Sequence, residues 1–234
     1  MSSLRLSEIW QGTADLLRGR LSLFFAVAAP FTLLVEMTLR IFGPTPPATT
    51  ADFTARTLFW LVLLPGIIGS LAQLAVAHLI LRPGATPREA LSAALAIWPV
   101  YLAALALSAL PTGLGFLLLV LPGLYVAARL FLMLPLAFAT PQADPIGLIR
   151  ASWQLTGSSA WTIFGFFVLA LLGLFGLGLV ASGVGAALGS VFTLLGFAAV
   201  GQFAAGLVPA AASTFVAIGS AGLSCYLYSR LKAV

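Results

Sequence analysis

Long apolar runs, each about the length of a membrane crossing, dominate the sequence. A helix needs roughly 20 apolar residues to cross the hydrocarbon core of a bilayer. Five such runs occupy residues 21–42, 57–81, 98–120, 124–139 and 161–182, and a sixth lies near the C-terminus. Polar stretches rich in Pro, Thr or Gly separate them. The pattern predicts an all-α, polytopic transmembrane helix bundle of about six spans, with interfacial amphipathic helices.

The segment from 183 to 208 has no charged residue and does not divide cleanly into spans. Its pattern is compatible with a span, a re-entrant piece or an interfacial segment. Gly185 and Gly189 have the GxxxG spacing that permits close contact between helices. A seventh span would separate Arg230 and Lys232 from the other basic segments, so we expect a partial segment around 184–203.

The distribution of basic residues predicts the orientation of the spans. With six spans and a cytoplasmic N-terminus, Arg40 and Arg56 fall outside. The cytoplasmic segments then carry eight basic residues: Arg5, Arg18, Arg20, Arg82, Arg88, Arg150, Arg230 and Lys232. Such a bias follows the positive-inside rule. We therefore expect a multi-pass protein of the bacterial inner (cytoplasmic) membrane with both termini cytoplasmic.

Composition narrows the possible protein classes. Apolar residues make up 61% of the chain and charged residues 7%, against about 25% charged in soluble domains. These values exclude a water-soluble monomer and a disordered chain, and the single Cys225 excludes an internal disulfide. The net charge of +5 is scattered among apolar runs, so we expect no nucleic-acid partner. The expected partners are membrane lipids, and beyond them another membrane protein or a second copy.

A weak internal repeat divides the single membrane domain into units of about 1–81, 82–140 and 141–234. The sequence Leu-Pro-Gly at 64–66 and at 121–123, and Leu-Val-Pro at 207–209, opens one span in each unit. Pro87 and Pro145 begin short amphipathic stretches, and the N-terminus has similar apolar spacing. Each unit is predicted to be an interfacial helix followed by two spans. These helices either anchor the bundle or form a collar that binds a partner or headgroup.

Residues 119–164 contain a spaced set of Pro, Gly, Arg, Ser and Trp residues. The set comprises Pro122, Gly123, Arg129, Pro135, Ser152, Trp153, Leu155, Thr156 and Trp161. It resembles the glycerophosphoryl diester phosphodiesterase membrane-domain superfamily and related uncharacterised six-span bacterial inner-membrane proteins. The resemblance implies a six-span fold. Some relatives also carry a soluble phosphodiesterase barrel, which needs roughly 250 residues, more than the 234 of this chain. Gly157-Ser158-Ser159 replaces the basic residues that commonly follow the Thr.

Two ionisable residues fall inside predicted spans, where a charge costs about 2.5–3.5 kcal/mol on insertion scales. Glu36 precedes the outer end of the first span by six residues, and Arg129 lies about seven residues inside the outer end of the fourth. At 1.5 Å per residue, both lie roughly 10 Å deep, so we predict a buried ion pair between them. Alternatively, Glu36 pairs with Arg40 while Arg129 caps backbone carbonyls freed at Pro122 and Pro135, or Arg129 binds a solute or lipid phosphate.

Gln73 and His78 are further polar residues inside the second span. A lone His there is more often a hydrogen-bonded interface residue than a proton relay. The chain has no HExxH motif, no pair of cysteines and no glycine-rich phosphate loop, so we expect neither catalysis, cofactor nor metal. The predicted function is a non-catalytic membrane protein that engages lipids or a membrane-protein partner. The alternative is a small transporter or channel with Arg129 and Glu36 in a polar cavity.

Overall fold

The structure, a computed structural model, describes residues 6–44, 49, 54–139 and 144–232. This part of the chain forms eleven α-helices and no strand. The helices are α1 (Leu6–Arg18), α2 (Leu21–Ala28), α3 (Leu33–Phe42), α4 (Ala55–Leu58), α5 (Leu64–Leu81), α6 (Pro87–Leu118), α7 (Val120–Leu130), α8 (Met133–Ala139), α9 (Pro145–Leu155), α10 (Ala160–Leu194) and α11 (Ala198–Lys232). A π-helical turn (Phe59–Leu63) joins α4 to α5, and a 3-10 turn (Gly157–Ser159) precedes α10.

Six segments within the described residues are long and apolar enough to cross a membrane. They are Leu21–Phe42, Ala55–Leu81, Pro87–Leu118, Val120–Ala139, Ala160–Leu194 and Ala198–Lys232. The first coincides with the predicted run, and the others begin or end beyond the predicted limits. The protein is therefore a multi-pass membrane protein, and the predicted all-α bundle of about six spans is confirmed.

Local capping chemistry sets the starts of α6 and α9. Thr86 and Glu89 form a reciprocal capping box around Pro87, which occupies the first helical turn. The Asp144 side chain accepts a hydrogen bond from the Gly147 amide (2.9 Å), and Pro145 again lies in the first turn. The predicted interfacial helix of the second unit is nevertheless not separate. It runs without a break into the third span, because Pro99 is accommodated inside α6.

The proposed start of the last span at 207–209 is wrong. Helix α11 begins at Ala198, and Pro209 lies in its interior. A Cβ atom added to Gly185 of α10 would lie 3.0 Å from Pro209 Cδ, so Gly185 leaves room for the proline ring. The residues around Pro65 do not open the second span either, since that span begins at Ala55.

Helices α10 and α11 form a long antiparallel hairpin of 35 residues per arm. Gly196, with φ +87°, occupies the connecting turn, in the left-handed region that favours glycine. The partial segment predicted at 184–203 is therefore the closed end of this hairpin. A Cβ atom on Gly189 would lie 2.7 Å from Ala205 Cβ. The GxxxG pair thus serves contact within the chain.

One end of the bundle collects basic residues, and we call it the basic end. Arg20 donates a hydrogen bond to the Leu79 carbonyl (3.2 Å), which ties the start of α2 to the end of α5. Leu17 packs against Gly222 near the end of α11. These contacts bring Arg18, Arg20, Arg82, Arg230 and Lys232 to this end, while Arg5 lies outside the described residues. Which membrane face this end occupies stays a prediction from the charge bias.

Candidate functional site

Arg129, near the end of α7, lies against α9 with only 8% of its surface exposed. Its Nη1 donates a hydrogen bond to the Tyr125 hydroxyl (3.0 Å), and its Nη2 donates to the Trp153 carbonyl. Its Cζ lies 4.3 Å from the centroid of the Trp153 ring and 5.8 Å from that of Tyr125. Aromatic faces at these distances stabilise a cation. Neutral groups therefore surround a buried positive charge.

The backbone of Arg129 is held by the same segment of α9. The Ser152 hydroxyl donates to the Arg129 carbonyl oxygen at 2.8 Å, and Thr156 Oγ1 reaches that oxygen at 3.4 Å. Both side chains are fully buried. This carbonyl lies in the last turn of α7, where helices leave carbonyls without partners. Arg129, Ser152, Trp153 and Thr156, which the sequence linked only as a pattern, thus form one cluster, which we call the Arg129 cluster.

The Arg129 cluster lies near the basic end. The ring centroids of Tyr125 and Trp161 are 5.5 Å apart, and those of Phe131 and Phe167 are also 5.5 Å apart. Trp161 is near the start of α10, which lies beside the end of α11 because the two antiparallel arms are equally long. The predicted position of Arg129, near the outer end of its span, is therefore wrong. Its span is broken after Leu130, so residue counting along one straight helix misjudged the depth.

Exposed aromatic side chains and a glycine border the cluster. Trp153 and Trp161 are 41% and 76% exposed, and tryptophan is enriched where a bilayer meets water. A Cβ atom on Gly157 would lie 3.9 Å from Arg129 Nη2. The 3-10 turn therefore passes close to the guanidinium, and Gly157, the residue of the turn beside it, has no side chain. This leaves the Arg129 cluster at an aromatic-rich surface.

The charge of Arg129 has no acidic partner. Within the described residues, Arg18 and Asp15 form the one side-chain ion pair, at 3.5 Å. Arg129 Nε is also the one buried side-chain nitrogen or oxygen in that part of the chain without a hydrogen-bond partner. Guanidinium donors in a planar fork match the oxygens of phosphate or carboxylate. The cluster therefore holds a cation whose donor geometry suits an anionic oxygen group.

Glu36 and Arg129 do not form the predicted ion pair. The Glu36 carboxylate faces the Ser213 hydroxyl on α11 and interacts electrostatically with Arg40 on its own helix. Helix α3 packs against α11, whereas α7 packs mainly against α6, α9 and α10. Glu36 thus lies where α3 meets α11, whereas Arg129 lies where α7 meets α9. The alternative ion pair between Glu36 and Arg40 is not formed either, since Arg18–Asp15 is the one side-chain ion pair among the described residues.

The motif prolines and Gly123 have roles in packing. Helices α6 and α7 cross so closely that a Cβ atom on Gly115 would lie 2.8 Å from Gly123 Cα. Pro122 lies in the first turn of α7, and Pro135 is buried in α8. Arg129 caps the Trp153 carbonyl of α9, rather than carbonyls freed at these prolines.

The two polar residues of the second span have different surroundings. His78 is buried, and its ring meets Phe138 edge-on with a centroid distance of 5.1 Å. It also borders an open cleft beside Arg82 and Glu89. Gln73 instead lines a half-open cavity among the helices. No group of three or more His, Cys, Asp or Glu residues able to hold a metal occurs in the described ranges.

Sequence reasoning missed Tyr125 as a partner of Arg129. Its position four residues earlier on the same helix was the available signal, because side chains at this spacing meet on one helix face.

No protein-family model, no curated protein and no solved structure matches the chain. The resemblance of residues 119–164 to the membrane-domain superfamily therefore stays a prediction.

Proposed function

We propose that this chain is a non-catalytic bacterial inner-membrane protein that binds the phosphate group of anionic lipids at the Arg129 cluster. The observation that carries the proposal is the buried Arg129 guanidinium, which has no acidic partner among the described residues. A lipid phosphate would supply the missing negative charge.

The surroundings of the cluster favour a lipid as the source of that phosphate. Trp153 and Trp161 are exposed beside it, as expected of side chains at the level of the headgroups. The basic end also carries several arginines, and such segments attract anionic lipids by about 1 kcal/mol per basic residue near a membrane surface. We therefore expect anionic lipids to be concentrated at the surface beside the Arg129 cluster.

The transporter alternative has less support in its predicted form. It required Arg129 and Glu36 to share a polar cavity, but the two residues lie in different helix contacts. The half-open cavity is lined by Leu130 and Phe131 and does not include Arg129. Any transport would have to use other side chains.

Native mass spectrometry in mild detergent tests the proposal. We compare the wild-type protein with Arg129→Gln, which keeps a polar amide but carries no charge. We expect the wild type to retain phosphatidylglycerol and Arg129→Gln to lose it. The matched control is Arg150→Gln, which removes an exposed arginine from α9 and is expected to leave lipid retention unchanged.

Equal lipid loss in both variants would show that overall positive charge, and not the Arg129 cluster, retains the lipid. Retention in Arg129→Gln would contradict the proposed site. Adding inorganic phosphate distinguishes the source of the phosphate group: displacement of lipid by millimolar phosphate would point to a soluble anion as the ligand. A copurifying protein subunit in place of lipid would favour an accessory role.

A further inference from the structure

A half-open cavity of about 230 Å³ lies among α5, α6, α7, α8, α10 and α11. Side chains from three of these helices give it a polar lining. They are Gln73, Tyr101, Ser108, Thr112, Ser220 and Ser224. The rest of the wall is apolar, and no lining residue is acidic or basic. The cavity is therefore polar and free of formal charge.

The serine hydroxyls present acceptors to the cavity. Ser108 donates to the Leu105 carbonyl (2.8 Å), Ser220 to the Ala217 carbonyl (2.9 Å) and Ser224 to the Phe131 carbonyl (2.8 Å). Each hydroxyl has one hydrogen, which these bonds use, and two lone pairs. The three oxygens can therefore still accept hydrogen bonds.

Tyr101 and Gln73 have hydrogen-bonding groups without protein partners. Tyr101 is only 6% exposed, and within the described residues no hydrogen bond involves its hydroxyl or the Gln73 amide. Neither group is sealed from solvent, because among the described residues Arg129 Nε is the one side-chain nitrogen or oxygen that is both buried and without a hydrogen-bond partner. Both side chains line the cavity, so a molecule inside it can satisfy them.

The chemistry of the walls selects the class of that molecule. A charged molecule would be expensive to place here, because nothing in the lining balances a charge. The lining offers donors from Tyr101 and Gln73 and acceptors from the serines. Each hydroxyl of a polyol donates and accepts, so it can use both. The volume exceeds the roughly 30 Å³ that one water occupies in the liquid.

We infer that this cavity binds a small uncharged polyol, of about the size of glycerol, inside the membrane domain. The site is separate from the Arg129 cluster and needs no anionic group. It goes beyond the proposed lipid-binding function, and neither site depends on the other for its chemistry.

Saturation-transfer NMR on the full protein in nanodiscs tests this inference, with glycerol as the probe and zwitterionic glycine as the charged comparison. We expect glycerol to bind the wild type and glycine to give no signal. The double variant Tyr101→Phe with Gln73→Leu removes two of the unpartnered groups with little change in shape, and its glycerol affinity should fall at least tenfold. The matched control is Tyr226→Phe with Gln202→Leu, outside the cavity, which should bind as the wild type does.

A second variant keeps the test decisive if the double variant does not fold. Ser220→Leu fills the cavity and breaks only a hydrogen bond within its own helix, so glycerol binding should again be lost. The inference is overturned if wild-type protein gives no glycerol signal, which would mean that the cavity holds water alone. It is also overturned if the cavity variants keep the signal, or if glycine binds as well as glycerol.

Discussion

The Arg129 cluster and the half-open cavity are neighbours along the chain, yet their chemistry is opposite. Arg129 lies in the cluster, while the next two residues, Leu130 and Phe131, line the cavity. In the cluster a charge is held by a hydroxyl, a carbonyl and two aromatic rings. In the cavity there is no charge, and Tyr101 and Gln73 have no partner within the described residues.

This difference separates two uses of polar residues in a membrane protein. Polar groups that bond one another hold helices together, as Ser152 holds α9 to the end of α7. Polar groups that face a cavity without partners are available to a ligand. The break between α7 and α8 helps to make both sites possible. The Arg129 carbonyl accepts a hydrogen bond from Ser152 of α9, and the Phe131 carbonyl accepts one from Ser224 of α11.

Replacing Arg129 should give the largest effect. We expect Arg129→Leu to lower the free energy of unfolding by about 2 kcal/mol, because the Trp153 carbonyl keeps only the Thr156 hydroxyl (3.2 Å) as a side-chain donor and the cation–π contacts disappear. Equilibrium unfolding in mixed micelles with increasing dodecyl sulfate measures the change. Arg150→Leu on exposed α9 surface is the control and should be near neutral. Equal effects from both substitutions would remove the structural role assigned to Arg129.

A smaller loss is expected at Ser152. Ser152→Ala leaves the Arg129 carbonyl with only the longer Thr156 contact and should lower the free energy of unfolding by about 1 kcal/mol. The same unfolding assay applies. Ser92→Ala provides the comparison, since Ser92 is exposed and bonds only its own helix. If Ser152→Ala proves as neutral as Ser92→Ala, the bond between α7 and α9 contributes nothing to stability.

Substitutions in the cavity should leave the free energy of unfolding almost unchanged or should raise it. In the absence of polyol, we expect the double variant Tyr101→Phe with Gln73→Leu to keep or raise the free energy of unfolding. The reason is that no hydrogen bond within the protein is lost and two unpartnered polar groups become apolar. Unfolding curves with and without glycerol check this, and glycerol should stabilise only the wild type. A destabilisation comparable to that of Ser152→Ala would show that Tyr101 and Gln73 stabilise the fold. The cavity and the Arg129 cluster would then not differ in this respect.

Several features of the site were within reach of sequence reasoning. The spacing of Ser152, Trp153 and Thr156 after Arg129 marked them as a set, and the capping residues around Pro87 and Pro145 marked the starts of two helices. The serines at 220 and 224 are one turn apart in an apolar run, which places them on one helix face. The sequence could not predict that these serines line one cavity with Gln73 and Tyr101, because that depends on which faces of distant helices pack together.

The sequence by itself determined that this protein crosses a membrane, that its spans are helical and that its basic residues are unevenly distributed. Those properties follow from local composition, since each span must be apolar and must satisfy its own backbone hydrogen bonds. Only the tertiary structure decided that Glu36 faces α11 instead of Arg129, that 184–203 closes a hairpin, and that Arg129 lies near the basic end. Such outcomes depend on where helices break and which faces meet, and side-chain packing between segments far apart in the chain determines both.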